Sequence, residues 1–248
     1  MKKIDVNYCF IDDFSNYWDN YWSDEILGHS SIDPDSASNT LLEFDKILYS
    51  RQLPNGERMN LEIDYSDRSL KWDNLRLSND SIMASFRYKN ERDFIQEVAD
   101  SIPNWKDFIK SYIIKSYTIG GEVLFPKRMG GINQSRGTNK NIRDRFDLTL
   151  DCIRKYYMNE KSPLYDVLIK DKAFFDKFVD LKGYVDFFFL QDFVNEDYSK
   201  VNFLIDEKYE NVIPNTVEDY FTWMKNQENI LNKRNSRINE FLSQLKME

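Results

Sequence analysis

Histidine and cysteine are nearly missing from this chain. Its 248 residues hold one histidine, His29, and two cysteines, Cys9 and Cys152. A serine or cysteine triad with a histidine base would have to be built on His29 alone. That residue lies in Gly28-His29-Ser30-Ser31, with nothing around it at triad spacing, and reads as a surface histidine. Three Cys and His residues in all exclude a zinc site made from them. Two cysteines far apart make no disulfide framework, so both are expected as free thiols in a reducing compartment.

Long apolar runs are missing too. The longest purely apolar run, Phe187–Leu190, is far too short to span a bilayer. The start, MKKIDVNYCFIDDF, meets acids at Asp5, Asp12 and Asp13 and lacks the apolar region of a signal peptide. A cytoplasmic protein without a membrane partner is expected. Positive charge is in deficit, at a formal net −8, which argues against general nucleic-acid binding. No Walker motif, dinucleotide fingerprint, internal repeat, low-complexity tract or Gly/Ser linker occurs.

Aromatic residues, by contrast, are abundant: 18 Phe, 15 Tyr and 5 Trp. Large rings bury much surface each, so a dense core is expected. Alternation at Met59, Leu61 and Ile63 predicts a strand, followed by one over Leu70–Leu77 and another over Ile82–Tyr88. Lys3–Phe10 reads as an edge strand, and Glu122–Phe125 and Val201–Ile205 as short strands. Helical spacing links Ala37, Leu41, Phe44 and Leu48, capped from Asp35 or Ser36. It recurs over Phe94–Ile102, Trp105–Ile113, Asp144–Met158 and from Thr216 on, where the polar stretch Asn232–Asn239 is expected to break the helix. Tyr184–Val194 is long enough for a buried helix. The pattern predicts a mostly helical α+β fold with a small, mainly antiparallel sheet from the first third. One domain over 1–248 is expected, strand-rich over 1–90 and helix-rich over 91–248.

Glycine is scarce, and five of the eight glycines fall between Tyr117 and Tyr157. The same segment carries Lys127, Arg128, Arg136, Lys140, Arg143 and Arg145, with Asp144 the one acid among them, a local +5. Glycine permits close backbone approach, and arginine grips carboxylate or phosphate with two parallel donors. The candidate ligand-binding residues are therefore Gly120, Gly121, Asn133, Arg136, Arg145 and Thr149. On a helical wheel Asp144, Asp147, Asp151, Arg154 and Lys155 share a polar sector, while Arg145 and Thr149 fall among apolar side chains. A buried arginine must be paired. Arg145 either meets an internal acid such as Asp186 or Asp192, or faces a cavity holding an anion. Asp144 at the helix start competes for that position, because it suits the helix dipole itself.

Acids at Asp33 and Asp35, and at Asp144, Asp147 and Asp151, have spacings that a hard cation could use. They read more simply as caps and as a solvated helix face, so no metal site is assigned.

The blocks YTIGG…FP, INQSRG, IRDRFDLTLDCIRKYY, SPLYDVL and GYVDFFFLQDFV, with DPDSASNTLLEFDKIL and LPNG before them, cover Asp33 to Val194. In these blocks the chain resembles an uncharacterised bacterial family carrying a domain of unknown function. The resemblance implies bacterial origin and a single-domain architecture, and no activity. Histidine often stands in that family where this chain has Asp45 and Tyr156, so neither position can carry a shared histidine chemistry here. The first functional expectation is a basic, glycine-bordered pocket for a phosphate-bearing small molecule or nucleotide, suited to carboxylate and arginine chemistry, with no cofactor assigned. The second is a non-catalytic interaction or regulatory protein with an aromatic surface.

Overall fold

The computed structural model describes residues 4–139, 142–205, 209 and 212–245. Lys140, counted above in the basic segment, lies outside them. Helix exceeds strand, at 51% of the chain, and the fold is α+β. Among the described residues no helix is long and apolar enough to cross a membrane.

The sheet is built by sequence-local pairing. Strands β1 (Glu62–Asp64), β2 (Ser69–Trp72) and β3 (Leu75–Ser81) form an antiparallel meander. The β2–β3 hairpin turns on Asp73 and Asn74, with Asp73 at φ +51°, a left-handed geometry that Asp tolerates. β4 (Glu122–Pro126) arrives from the middle of the chain and pairs with β3, setting Ser81 opposite Glu122 and Asp80 opposite Val123. Although it ends the order β1-β2-β3-β4, every residue of β4 is buried. Covering an edge strand removes a template for unwanted pairing.

The C-terminal helix Val217–Gln244 helps make that cover. Thr216 caps it, accepting from the Asp219 amide at 3.1 Å. The helix is unbroken through Asn232–Asn239, against the expected break. Two of its polar residues there, Arg234 and Asn235, turn inward, while Asn232, Lys233, Ser236, Arg237 and Asn239 stay exposed. Buried Arg234 donates from Nη1 to the carbonyls of Gly120 at 2.6 Å and Glu122 at 2.7 Å, and from Nε to Phe188 at 3.0 Å. Asn235 reaches the Thr118 hydroxyl at 3.1 Å.

Helix α1 (Asn39–Tyr49) buries Leu41, Phe44 and Leu48 as their spacing predicts. Its cap is Ser38, which accepts from the Leu41 amide at 3.0 Å. Asp35 and Ser36 sit instead in a separate single turn, Pro34–Ala37. Helices α2 (Arg92–Asp100) and α3 (Trp105–Ser116) follow, the latter burying Trp105, Ile109, Tyr112 and Ile113. Helix α4 (Phe146–Tyr157) starts two residues after Asp144, with Arg145 extended at its N-cap.

Several expected strands do not form. Of Lys3–Phe10, the described part makes turns, because the Asp5 carboxylate takes the Asn7 amide at 3.0 Å and bends the chain. The chain leaves the sheet after Ser81, whose hydroxyl accepts from the Met83 amide. Buried Gln227 then takes both the N–H and the carbonyl of Ala84, so no strand runs on to Tyr88. Val201 makes a single bridge, to Val194. Tyr184–Val194 is part of a short helix, α5 (Leu181–Phe187), then a tight turn at Gln191–Phe193. Both cysteines are buried and free.

Candidate functional site

Each of the six residues expected to bind a ligand has a place in the interior. Gly120 and Gly121 make the turn from α3 into β4. A methyl group on Gly121 would stand 1.7 Å from the Ser116 carbonyl oxygen, which only glycine avoids. One on Gly120 would meet the Asn235 side chain at 2.3 Å. Asn133 donates to Ser78 Oγ at 3.1 Å and to the Asn79 carbonyl at 3.3 Å.

Arg136 is wholly buried and fully engaged. Its Nη1 meets Asp80 at 2.7 Å and the Ser81 carbonyl at 2.9 Å. Its Nη2 meets the Asp144 carbonyl at 2.9 Å, and Nε reaches Thr149 Oγ1 at 3.2 Å. Thr149 donates its own hydroxyl to the Arg145 carbonyl at 2.9 Å. Arg136, Thr149 and Arg145 are therefore brought together, around a carboxylate of the protein itself. The Arg145 guanidinium is held by Asp147, through Nε at 3.0 Å and Nη2 at 2.6 Å. Asp186 and Asp192, the partners expected for it, pair with Lys182 and with Arg237 instead.

A cleft opens at Ser81, the residue after Arg136's partner Asp80. It has a volume of about 380 Å³ and lies between the loop 28–33, the end of β3 and the end of α3. Four tyrosines, Tyr17, Tyr21, Tyr112 and Tyr117, form much of its wall. The loop contributes His29, Ser30, Ser31 and Asp33. It turns at Gly28, φ +56°, where a methyl group would stand 2.4 Å from the Tyr21 ring. Arg87 is fixed in the far wall by the Tyr21 hydroxyl at 2.9 Å, by Ser85 Oγ at 3.1 Å and by the Leu27 carbonyl.

Behind Asp33 the chain gathers carboxyl groups from three separate segments. Asp35 is hydrogen-bonded to Asp33, and burial followed by the Asp33 charge pushes it well above the usual carboxylate range. Glu122, at the start of β4, is 1% exposed, and neither of its oxygens has a hydrogen-bond partner. Burial, then the charges of Asp35, Asp33, Asp80 and Asp45, push it well upward. Asp80 is pushed up to about 6 by burial, against the opposing pull of Arg136. Burial, then Tyr17 and the charges of Asp33, Asp35 and Glu122, push the Tyr117 phenol well upward.

Such an assembly is costly to keep. A buried unpartnered carboxyl group destabilises a fold by about 1–3 kcal/mol. Groups of this kind gather where function requires them. Chemically, the assembly can accept a cation. Among the described residues no three His, Cys, Asp or Glu side chains are placed to hold a metal ion.

Of these acids, Asp33 and Asp35 stood out in the sequence by flanking a proline. Asp80 and Glu122 did not, since each reads as one more polar position in a strand pattern. Among known proteins, the model of a family of unknown function, DUF6994, matches residues 4–238. No curated protein matches the chain, and no solved structure does.

Proposed function

Because the chain belongs to that family of unknown function, its chemistry has to be read from its own side chains, and we propose that the Asp33 cleft binds a small polar molecule through a cationic amine. The observation that carries this reading is Glu122, a buried carboxyl group with no hydrogen-bond partner, within electrostatic reach of Asp33 in the cleft wall. The buried cations nearby are engaged: Arg136 is held by Asp80, and Arg234 by the carbonyls of Gly120, Glu122 and Phe188. An ammonium group entering the cleft can pair with Asp33, with Arg87 the one cation among the described lining residues, and the tyrosines of the wall add cation–π attraction. The volume suits a small ligand. With the Asp33–Asp35 pair at hand, the same site suits general acid–base catalysis on that molecule.

A phosphate-bearing ligand or nucleotide at the basic segment has weaker support. Arg136 and Arg145 each hold an internal carboxylate, and a phosphate would have to displace it. The test is a thermal-shift panel of amines, including putrescine, choline and arginine amide, set against phosphate and ATP. Amines should raise the melting temperature, and Asp33→Asn should remove the effect. No shift by any amine, or the same shift in Asp33→Asn, would end the proposal. A shift by ATP that Arg136→Lys abolishes would establish the nucleotide reading instead.

A further inference from the structure

A second cleft, distinct from the one above, has in its wall an arginine with no carboxylate partner among the described residues. It has a volume of about 680 Å³ and lies between the segment after α1 and the start of α5. Arg51 reaches into it. The guanidinium carbon of Arg51 sits 4.5 Å from the ring centre of Phe187, 4.5 Å from Phe189 and 4.4 Å from Phe241. Its Nη2 donates to the Phe187 carbonyl. Its Nε is buried and has no acceptor, and no acidic side chain pairs with it among the described residues. Burial pulls its pKa down to about 10, which leaves it charged at neutral pH.

Three rings compensate a half-buried cation only in part, because a ring face supplies no hydrogen-bond acceptor. An arginine held in this way has donor capacity to spare and a fixed orientation. We infer that Arg51 is the anchor of a binding site for a small monocarboxylate with an apolar body.

The other groups in the wall select within the anions. Lys182 is taken up by Asp186. Asp180 uses one oxygen to cap α5 through the Gly183 amide at 2.7 Å and leaves its negative charge in the wall. Arg51 and Asp180 therefore balance, so a single carboxylate leaves one excess negative charge in the wall and a phosphate dianion leaves two. Leu53, Pro54 and Val179 supply apolar wall for the rest of the molecule. Val179 is itself held at φ +71°, ψ −55°, with the Asp180 amide donating back to the Phe178 carbonyl at 2.8 Å. That is a γ-turn of the rare, strained kind, and a β-branched residue there is a clear outlier. Strain of this sort is found where a binding wall has to be held in one shape.

The test uses the full chain with phenylacetate as probe, inorganic phosphate as the competing anion and glycine methyl ester as a cation control. Calorimetry gives the affinity, and the Arg51 Nε–H resonance, assigned by its loss in Arg51→Lys, reports the site in the wild type. Phenylacetate should bind and move that resonance, and Arg51→Met should weaken binding by about tenfold to hundredfold, the loss of a hydrogen bond to a charged group. The wild-type resonance keeps the test valid if Arg51→Met folds poorly. An unmoved Arg51 resonance under saturating phenylacetate would overturn the proposal. So would equal affinity in a folded Arg51→Met, or tighter binding of phosphate than of phenylacetate at Arg51.

Discussion

Arg145 and Asp147, two residues apart and both fully buried, form a bidentate ion pair at the mouth of helix α4. Side chains two apart on a helix point away from one another. They meet here because Arg145 is not helical: it is the N-cap, at φ −65° and ψ 109°. Asp147 also accepts the amides of Leu148 at 3.0 Å and Leu204 at 2.9 Å. It thereby ties the helix start to the loop after Val201.

Arg145→Met should consequently destabilise the fold, by leaving Asp147 buried without its counter-charge. Breaking a buried pair from one side costs about 3–5 kcal/mol. In a chain of this size that lowers the melting temperature by roughly 6–20 °C. A thermal scan by circular dichroism measures it, and a change of under about 2 °C would show that the pair contributes little.

Stability should fall as pH rises from about 4 to about 8 through Asp45. This side chain is 1% exposed, with the Asn79 amide 2.7 Å away, and burial pushes its pKa up to about 8. Unfolded, an aspartate titrates near about 3.9. The folded value is the higher one, so the contribution is complete below about pH 4 and is lost as pH rises through about 8. Asp45→Asn keeps an acceptor for Asn79 and cannot ionise. Its urea midpoint should exceed the wild type's at about pH 8.5 and approach it at about pH 4. Parallel pH profiles for the two proteins would refute this.

Glu122→Met should stabilise the protein and impair its cleft. Methionine fills a similar space, adapts to an irregular core and removes two oxygens that have no partner. A gain of about 1–3 kcal/mol is expected in the denaturant midpoint. Amine-induced thermal shifts should shrink in the same variant. A less stable Glu122→Met would mean that the carboxyl group is structurally satisfied after all.

At Val179, replacement by glycine should raise stability, although glycine usually lowers it. The observed φ of +71° suits glycine and strains valine by about 1–3 kcal/mol. Val179 is 60% exposed, so little buried surface is lost. Differential scanning calorimetry should show a rise of roughly 2–6 °C, less the entropy that glycine restores to the unfolded chain. A fall would mean that the valine side chain packs more than its exposure suggests.

The sequence by itself determined what is set by near neighbours and by composition. One histidine and two cysteines leave little for triads or zinc. The period of Trp105, Ile109, Tyr112 and Ile113 marks the buried stripe of α3, and that stripe is buried. The helix-rich balance is equally local, whereas the one strand read over Leu70–Leu77 is two, β2 and β3, folded back at Asp73 and Asn74. Burial of Arg145 was legible in the same way. Its partner was not: the wheel put Asp147 on the polar face, and a helix start two residues later than expected turned it inward. Tertiary structure alone decided the rest. Asp33, Asp80 and Glu122 meet because β3 pairs with β4 beneath the loop 28–33, and the Arg51 cage draws its rings from Phe187, Phe189 and Phe241. Charge interacts through space, and its strength depends on burial. Which charges become neighbours in the interior follows from how the elements pack, and no local spacing records that.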